Sequence, residues 1–122
     1  MKPVWIVDDD KSIRWVLEKT LAREQIPFKS FPSASEALSQ LDLGAEPPQV
    51  LVSDIRMPEM RGDEFLAYLK LNELFKQIPV VMLSSEDSTS ERIRLLEEGA
   101  EDYIVKPFNP QELKIGIKKI LD

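Results

Sequence analysis

A chain of 122 residues, 43% hydrophobic and 31% charged, is expected to fold as one domain, residues 1–122. It can bury a single core but has no room for a catalytic domain beside a separate substrate domain. It carries no cysteine and no histidine, which excludes disulfides, thiol nucleophiles, cysteine-type zinc sites and the imidazole base of most hydrolytic triads. Its 16 basic and 22 acidic residues leave a charge of −6, opposite to the footprint of a nucleic-acid-binding surface, and no apolar run reaches the ~18 residues of a membrane span. A cytoplasmic protein without a direct nucleic-acid or membrane partner is the expectation.

The chain opens on Val4-Trp5-Ile6-Val7, a run of strand formers that stops at Asp8-Asp9-Asp10. From Ser12 the period changes: Ile13, Val16, Leu17 and Leu21 fall on one helical face and Arg14, Glu18, Lys19 and Arg23 on the other. A short strand over Phe28 to Phe31, a helix from about Ala34 to Leu41, and a Val50-Leu51-Val52 strand ending at Asp54 follow. Then come a helix from about Asp63 to Leu71 and a strand from Ile78 to Leu83. Ser88-Thr89-Ser90-Glu91 has capping-box spacing, so Ser88 is expected to accept from a free helix N–H while Glu91 reaches back, and Gly99 suits the helix end. Tyr103-Ile104-Val105 reads as the fifth strand, and Asn109-Pro110 as a cap followed by a proline in the first helical position. The last helix places Leu113, Ile117, Ile120 and Leu121 along one face, with Lys114, Lys118 and Lys119 on a solvated one. Trp5 and Trp15 read as packing residues. Five strand–helix units in series predict an α/β fold with a parallel sheet between layers of helices.

In such a sheet the strands point one way, so the residues just past their ends meet on one edge, and ligands bind where the strand order reverses. Asp8, Asp9 and Asp10 end the first strand, Asp54 the third, Ser84-Ser85 the fourth and Lys106-Pro107 the fifth. Two carboxylates about 4 Å apart repel by roughly 4 kcal/mol at an effective dielectric of 20, so acids outnumbering one lysine want a cation. Oxygen ligands with open positions suit Mg²⁺. One carboxylate can then attack phosphorus while the metal and the ammonium neutralise the transferring oxygens and the hydroxyl binds one of them. Composition and spacing leave open which aspartate is the nucleophile.

The strand-one acids, Asp54 before Ile55-Arg56-Met57-Pro58-Glu59-Met60 and Gly62, Ser84 thirty residues on, and Lys106-Pro107-Phe108 together resemble the receiver domains of two-component response regulators over essentially the whole chain. The resemblance implies a doubly wound (βα)5, flavodoxin-like and CheY-like three-layer sandwich with strand order 2-1-3-4-5. It implies Asp54 as phosphoacceptor and Asp9 and Asp54 as direct ligands of Mg²⁺ or Mn²⁺, with Asp8 acting through metal-bound water and the Arg56 carbonyl completing the set. Ser84 resembles the switch hydroxyl, Lys106 the phosphate-pairing lysine joined by a cis bond to Pro107, and Tyr103 the aromatic that turns inward on activation. The implied partners are a sensor histidine kinase or phosphotransfer protein and an output domain or downstream protein, with a homodimer on activation left open. Val7 to Ala22 is most similar to nitrogen-regulator-type receivers and the stretch from about Val80 to other subfamilies, which ordinary divergence and a recombined chimera both explain. A stand-alone receiver and the front of a longer regulator with ATPase and DNA-binding portions both fit.

Arg61 stands where many receivers carry Asp, and Ser85 where Ala or Gly is common. Arg56 and Glu86, each two residues past a functional group, are expected to pair across the site and slow hydrolytic water. Beside these readings stand plainer ones: Asp10 as a turn and helix-start residue and Tyr103 as a half-exposed strand aromatic. Two functions of other classes remain. Asp8-x-Asp10 after a strand resembles the haloacid-dehalogenase nucleophile motif, which would make Asp8 the nucleophile of a phosphohydrolase, and a docking module independent of phosphorylation needs none of the constellation.

Overall fold

The structure is a computed structural model that describes residues 2–121. Five strands, β1 (Val4–Val7), β2 (Phe28–Phe31), β3 (Val50–Asp54), β4 (Val80–Ser84) and β5 (Asp102–Val105), alternate with five helices. The helices are α1 (Lys11–Arg23), α2 (Ala34–Asp42), α3 (Gly62–Leu71), α4 (Thr89–Glu97) and α5 (Pro110–Leu121). All strand pairs are parallel and the order is β2-β1-β3-β4-β5, as expected for the doubly wound sandwich.

Strands buried on both faces explain the unbroken apolar runs in the sequence. Side chains alternate between faces. Val4 and Ile6 of β1, Val50 and Val52 of β3, and Val81 and Leu83 of β4 pack with Leu17 and Leu21 of α1 and Leu113 and Ile117 of α5. Trp5, Val7, Leu51, Val80 and Met82 point the other way, onto Ala37 of α2, Phe65, Leu66 and Leu69 of α3, and Leu95 of α4. The edge strand β2 is only half covered, consistent with its Lys29 and Ser30. The last two helices differ in how firmly they are held. On α5, Leu113, Gly116 and Ile117 are buried, whereas on α4 only Leu95 is.

Several local expectations need correction. The fourth strand begins at Val80, not Ile78, because Pro79 has no N–H to give the ladder and contributes only its carbonyl, to Leu51 N at 2.9 Å. Ile78 is nonetheless buried, in the turn before it. Trp5 is fully buried and tilted 50° against Phe31, but Trp15 is 59% exposed, with the Lys19 ammonium 5.5 Å from its ring. It lies on the outer face of α1, one residue away from the Val16–Leu17 stripe. Lys114 and Lys118 are not simply solvated: both reach Glu24 at the end of α1, at 3.3 and 2.7 Å, joining α5 to α1.

The turn from β3 into α3 fixes where Asp54 sits. The Gly62 N–H donates to the Ile55 carbonyl at 2.8 Å, so the first turn of α3 rests directly on the backbone at the end of β3. A Cβ at Gly62 would overlap the Asp54 carbonyl oxygen and lie 2.9 Å from its carbonyl carbon and 3.0 Å from Ile55 Cα. These are backbone atoms that cannot rotate away. Gly62→Ala is therefore expected to destabilise the fold by about 1–3 kcal/mol, as overpacking does. A urea midpoint matching the wild type would show that this contact gives way freely.

Candidate functional site

The strand order reverses between β1 and β3, and Val7 pairs with Ser53, so the next residue of each strand, Asp8 and Asp54, emerges side by side. Each acid is held differently. Asp8 is wholly buried, with Oδ1 accepting from Asp10 N at 2.9 Å and Oδ2 from Lys106 Nζ at 2.9 Å. Asp54 is 7% exposed and pairs with the same ammonium at 3.2 Å. Asp9 is exposed, yet Asp8, Asp9 and Asp54 each offer an oxygen within 4.8 Å of the others. Asp10 is spent elsewhere: its Oδ1 accepts from Ser12 N and Ile13 N at 2.8 and 3.3 Å, capping α1. The plainer reading of Asp10 therefore holds, and it stands outside the three-acid cluster.

The charge balance follows from these positions. Burial pushes the Asp8 carboxyl above its ordinary value, the Asp54 charge adds to the rise, and the hydrogen bonds from Asp10 and Lys106 only partly offset it. Burial alone would pull the Lys106 ammonium down, but the Asp8 hydrogen bond and the charges of Asp8 and Asp54 outweigh it and hold that group above its ordinary value. One ammonium faces three carboxylates, so the cluster is short of positive charge. The donor set suits a small divalent cation, since three carboxylates, one from each acid, converge on one place and hard oxygen donors are what Mg²⁺ takes. The Lys106–Pro107 peptide bond is cis.

Ser84, at the end of β4, and Tyr103, on β5, meet through a residue that the sequence reading assigned elsewhere. Ser88 caps α4 as expected, accepting from Glu91 N at 3.3 Å. Glu91, however, does not reach back to complete a capping box. Its Oε1 turns into the protein and accepts from Ser84 Oγ at 2.9 Å, with Tyr103 OH also at 2.9 Å. Glu91 and Leu95 are four apart and share the inward face of α4, so a carboxylate at that position is offered two buried hydroxyls instead of one exposed backbone N–H. The reciprocal contact occurs at α3, where Arg61 N donates to Glu64 Oε1 at 3.0 Å.

Tyr103 is buried, not half-exposed, and its hydroxyl also lies 2.6 Å from the Glu86 carbonyl. Burial chiefly holds its phenol above the ordinary value; Ser84 works against the rise and Glu91 adds to it. Arg56 and Glu86 form the expected ion pair, with the Arg56 side chain largely in solvent and that of Glu86 partly covered. Arg61 takes the place of an acid without entering the cluster: it pairs with Asp63 at 3.0 Å, and Asp63 also meets Arg94 of α4 at 3.4 Å. Burial would raise the Asp63 carboxyl, but the two guanidiniums bring it below its usual value.

Comparison with known proteins decides the family. The model for the response regulator receiver domain matches residues 4–118. The chain belongs to this family. It is 40% identical to the DNA-binding transcriptional regulator NtrC of Proteus hauseri over 118 residues, 97% of this chain and 24% of that protein. It is 35% identical to the chemotaxis protein CheY1 of Helicobacter pylori over 119 residues, 95% of this chain and 94% of that one. The chain thus spans about a quarter of the length of the first relative and nearly all of the second. The structure of the chemotaxis response regulator CheY4 of Vibrio cholerae superimposes with a TM-score of 0.89 at 31% identity, covering 98% of both chains. Receivers act as signalling switches and not as conventional enzymes, and among the described residues no helix is long and apolar enough to cross a membrane.

Because the receiver's acids repel one another, removing one is expected to stabilise the metal-free fold. Asp54→Asn should raise the metal-free thermal midpoint by a few degrees, equivalent to about 1 kcal/mol, and should blunt the further rise expected of the wild type on adding millimolar Mg²⁺. In the acid limb Asp8 works against Asp63, whose lowered carboxyl loses its contribution as pH falls. The folded value of Asp8 is raised, so its contribution favours folding at pH below its ordinary 3.8 and is lost as pH climbs through the raised value. Thermal melts with and without Mg²⁺ check the first expectation, and metal-free melts over an acid pH series check the second.

Proposed function

We propose that this receiver is a phosphorylation-driven switch in which Asp54 takes a phosphoryl group from a sensor histidine kinase or phosphotransfer protein. The observation that carries the reading is the arrangement around Lys106, whose ammonium lies 2.9 Å from Asp8 and 3.2 Å from Asp54 at the edge of the three-acid cluster. An Asp54 oxygen forms the new bond to phosphorus as the phosphorus–nitrogen bond of the donor phosphohistidine breaks, and the departing imidazole keeps the electron pair and takes a proton. Lys106 pairs with an oxygen of the transferred group, and Ser84 with another. Asp9 and Asp54, Asp8 through water, and the Arg56 carbonyl would hold Mg²⁺ or Mn²⁺, which supplies positive charge opposite the transferring oxygens. With that charge bound, Lys106 need not balance all three acids and is freer to face the phosphoryl group.

The signal leaves the site through Ser84 and Tyr103, which adjoin α4 and β5. Their rearrangement changes the surface of α4, β5 and α5 and so the affinity for an output domain or downstream protein by population shift. We read residues 1–122 as one receiver domain acting in the cytoplasm. A phosphohydrolase using Asp8 is disfavoured because both oxygens of that fully buried carboxylate are already engaged, by Asp10 N and Lys106, and because Asp10 faces α1. Asp54 retains some exposure, as a nucleophile must.

Intact mass after incubation with acetyl phosphate and Mg²⁺ tests the reading directly. The expected result is a labile gain of one phosphoryl group that needs Mg²⁺ and vanishes in Asp54→Asn. No adduct, together with no binding of beryllium fluoride, would sink the reading and favour a docking module independent of phosphorylation. The Arg56–Glu86 pair supports a second expectation: Arg56→Ala and Glu86→Ala should each shorten the aspartyl phosphate's lifetime several-fold by opening the site to water. An unchanged lifetime would rule out a barrier at that pair.

A further inference from the structure

Four groups close a ring at the junction of β4, α4 and β5. Ser84 Oγ donates to Glu91 Oε1 at 2.9 Å, Tyr103 OH lies 2.9 Å from the same oxygen and 2.6 Å from the Glu86 carbonyl, and Glu86 N donates back to Ser84 Oγ at 3.0 Å. Both ends of the loop that leaves β4 are therefore tied through two hydroxyls, and the only charged member of the ring is Glu91. The ring's outer neighbour is Arg92, whose guanidinium lies 5.1 Å from the Tyr103 ring. Ser84 has a single hydroxyl proton, and in this arrangement it is given to Glu91. A phosphoryl oxygen on Asp54 would need the same proton.

The geometry points to Glu91 as the positioning residue that sets the switch: its carboxylate holds the Ser84 hydroxyl, and a phosphoryl group on Asp54 must take that hydroxyl from it. The inference rests on Asp54 being the phosphoacceptor. Two charged acceptors then compete for one donor, and hydrogen bonds to a charged acceptor are roughly twice as strong as neutral ones. A carboxylate at this position thus raises the threshold for activation, and an amide of the same shape would lower it. The Tyr103 hydroxyl keeps the Glu86 carbonyl as a second acceptor, so losing Glu91 loosens Tyr103 without leaving its proton unpartnered.

The test is a double-mutant cycle read by the affinity for beryllium fluoride with Mg²⁺, measured calorimetrically on the whole chain. Glu91→Gln keeps the size and removes the charge, and should bind beryllium fluoride roughly tenfold more tightly than wild type. In a Ser84→Ala background, where there is no hydroxyl to hold, the same substitution should change affinity less than about twofold. Glu91→Asp, one methylene shorter, should shift affinity in the same direction and carries the test if thermal melts show Glu91→Gln to be unfolded. Unchanged or weaker affinity in Glu91→Gln, or an equal gain with and without Ser84, would overturn the inference while leaving Asp54 as the acceptor. Failure of the wild type itself to bind beryllium fluoride would overturn both.

Discussion

Parallel strands pointing one way bring the charged residues that follow them to a common edge, and everything distinctive in this protein follows from the resulting excess of negative charge. Asp8, Asp9 and Asp54 crowd one ammonium, and the crowding persists because the β1 and β3 backbones fix the aspartates before their charges can object. A surface cluster would relieve the repulsion by turning its side chains into water. Here Asp8 has no such freedom, since it is buried and tied by two hydrogen bonds. Like charges held together in this way leave a place that a cation would fit.

The same constraint shows how the site is divided between rigid and adjustable parts. Asp8, Asp54 and Lys106 hang from strand ends within the sheet, and Gly62 lets the first turn of α3 press against the Asp54 backbone. Ser84, Tyr103 and Glu91 form a second group that depends on where α4 lies. Its members are joined to one another by hydrogen bonds that have alternative partners. Under the proposed switch, precision is thus concentrated at the atoms that handle charge, and adjustability at the atoms that would report on it.

The fold was legible because strand and helix periods alternate five times with clear punctuation, and each strand begins or ends at a charge, a proline or a cap. The acidic edge was legible as well, because topology alone carries Asp8, Asp54 and Lys106 to the same place. What the sequence hid were choices between local and distant partners. Glu91 three residues after Ser88 has the spacing of a capping box, and nothing along the chain says that two buried hydroxyls from β4 and β5 outcompete one backbone N–H. Lys114 and Lys118 read as solvated because their partner, Glu24, lies some ninety residues earlier on α1. Trp15 read as a packing residue because its type is apolar, although its position beside the buried stripe turns it outward.

The single buried leucine of α4 sets a limit on how firmly that helix can be fastened. Beyond Leu95, its contacts with the rest of the protein include the Arg94–Asp63 pair, Arg92 over the Tyr103 ring and the Glu91 ring, which are polar and exchangeable. A helix secured in this way has resting places that differ by little, so an event at one oxygen atom can decide among them. Filling the α4 interface with more hydrocarbon would give a sturdier protein and a less responsive one. Under the proposed switch, loose packing at this helix serves sensitivity and is not a mark of imperfect folding.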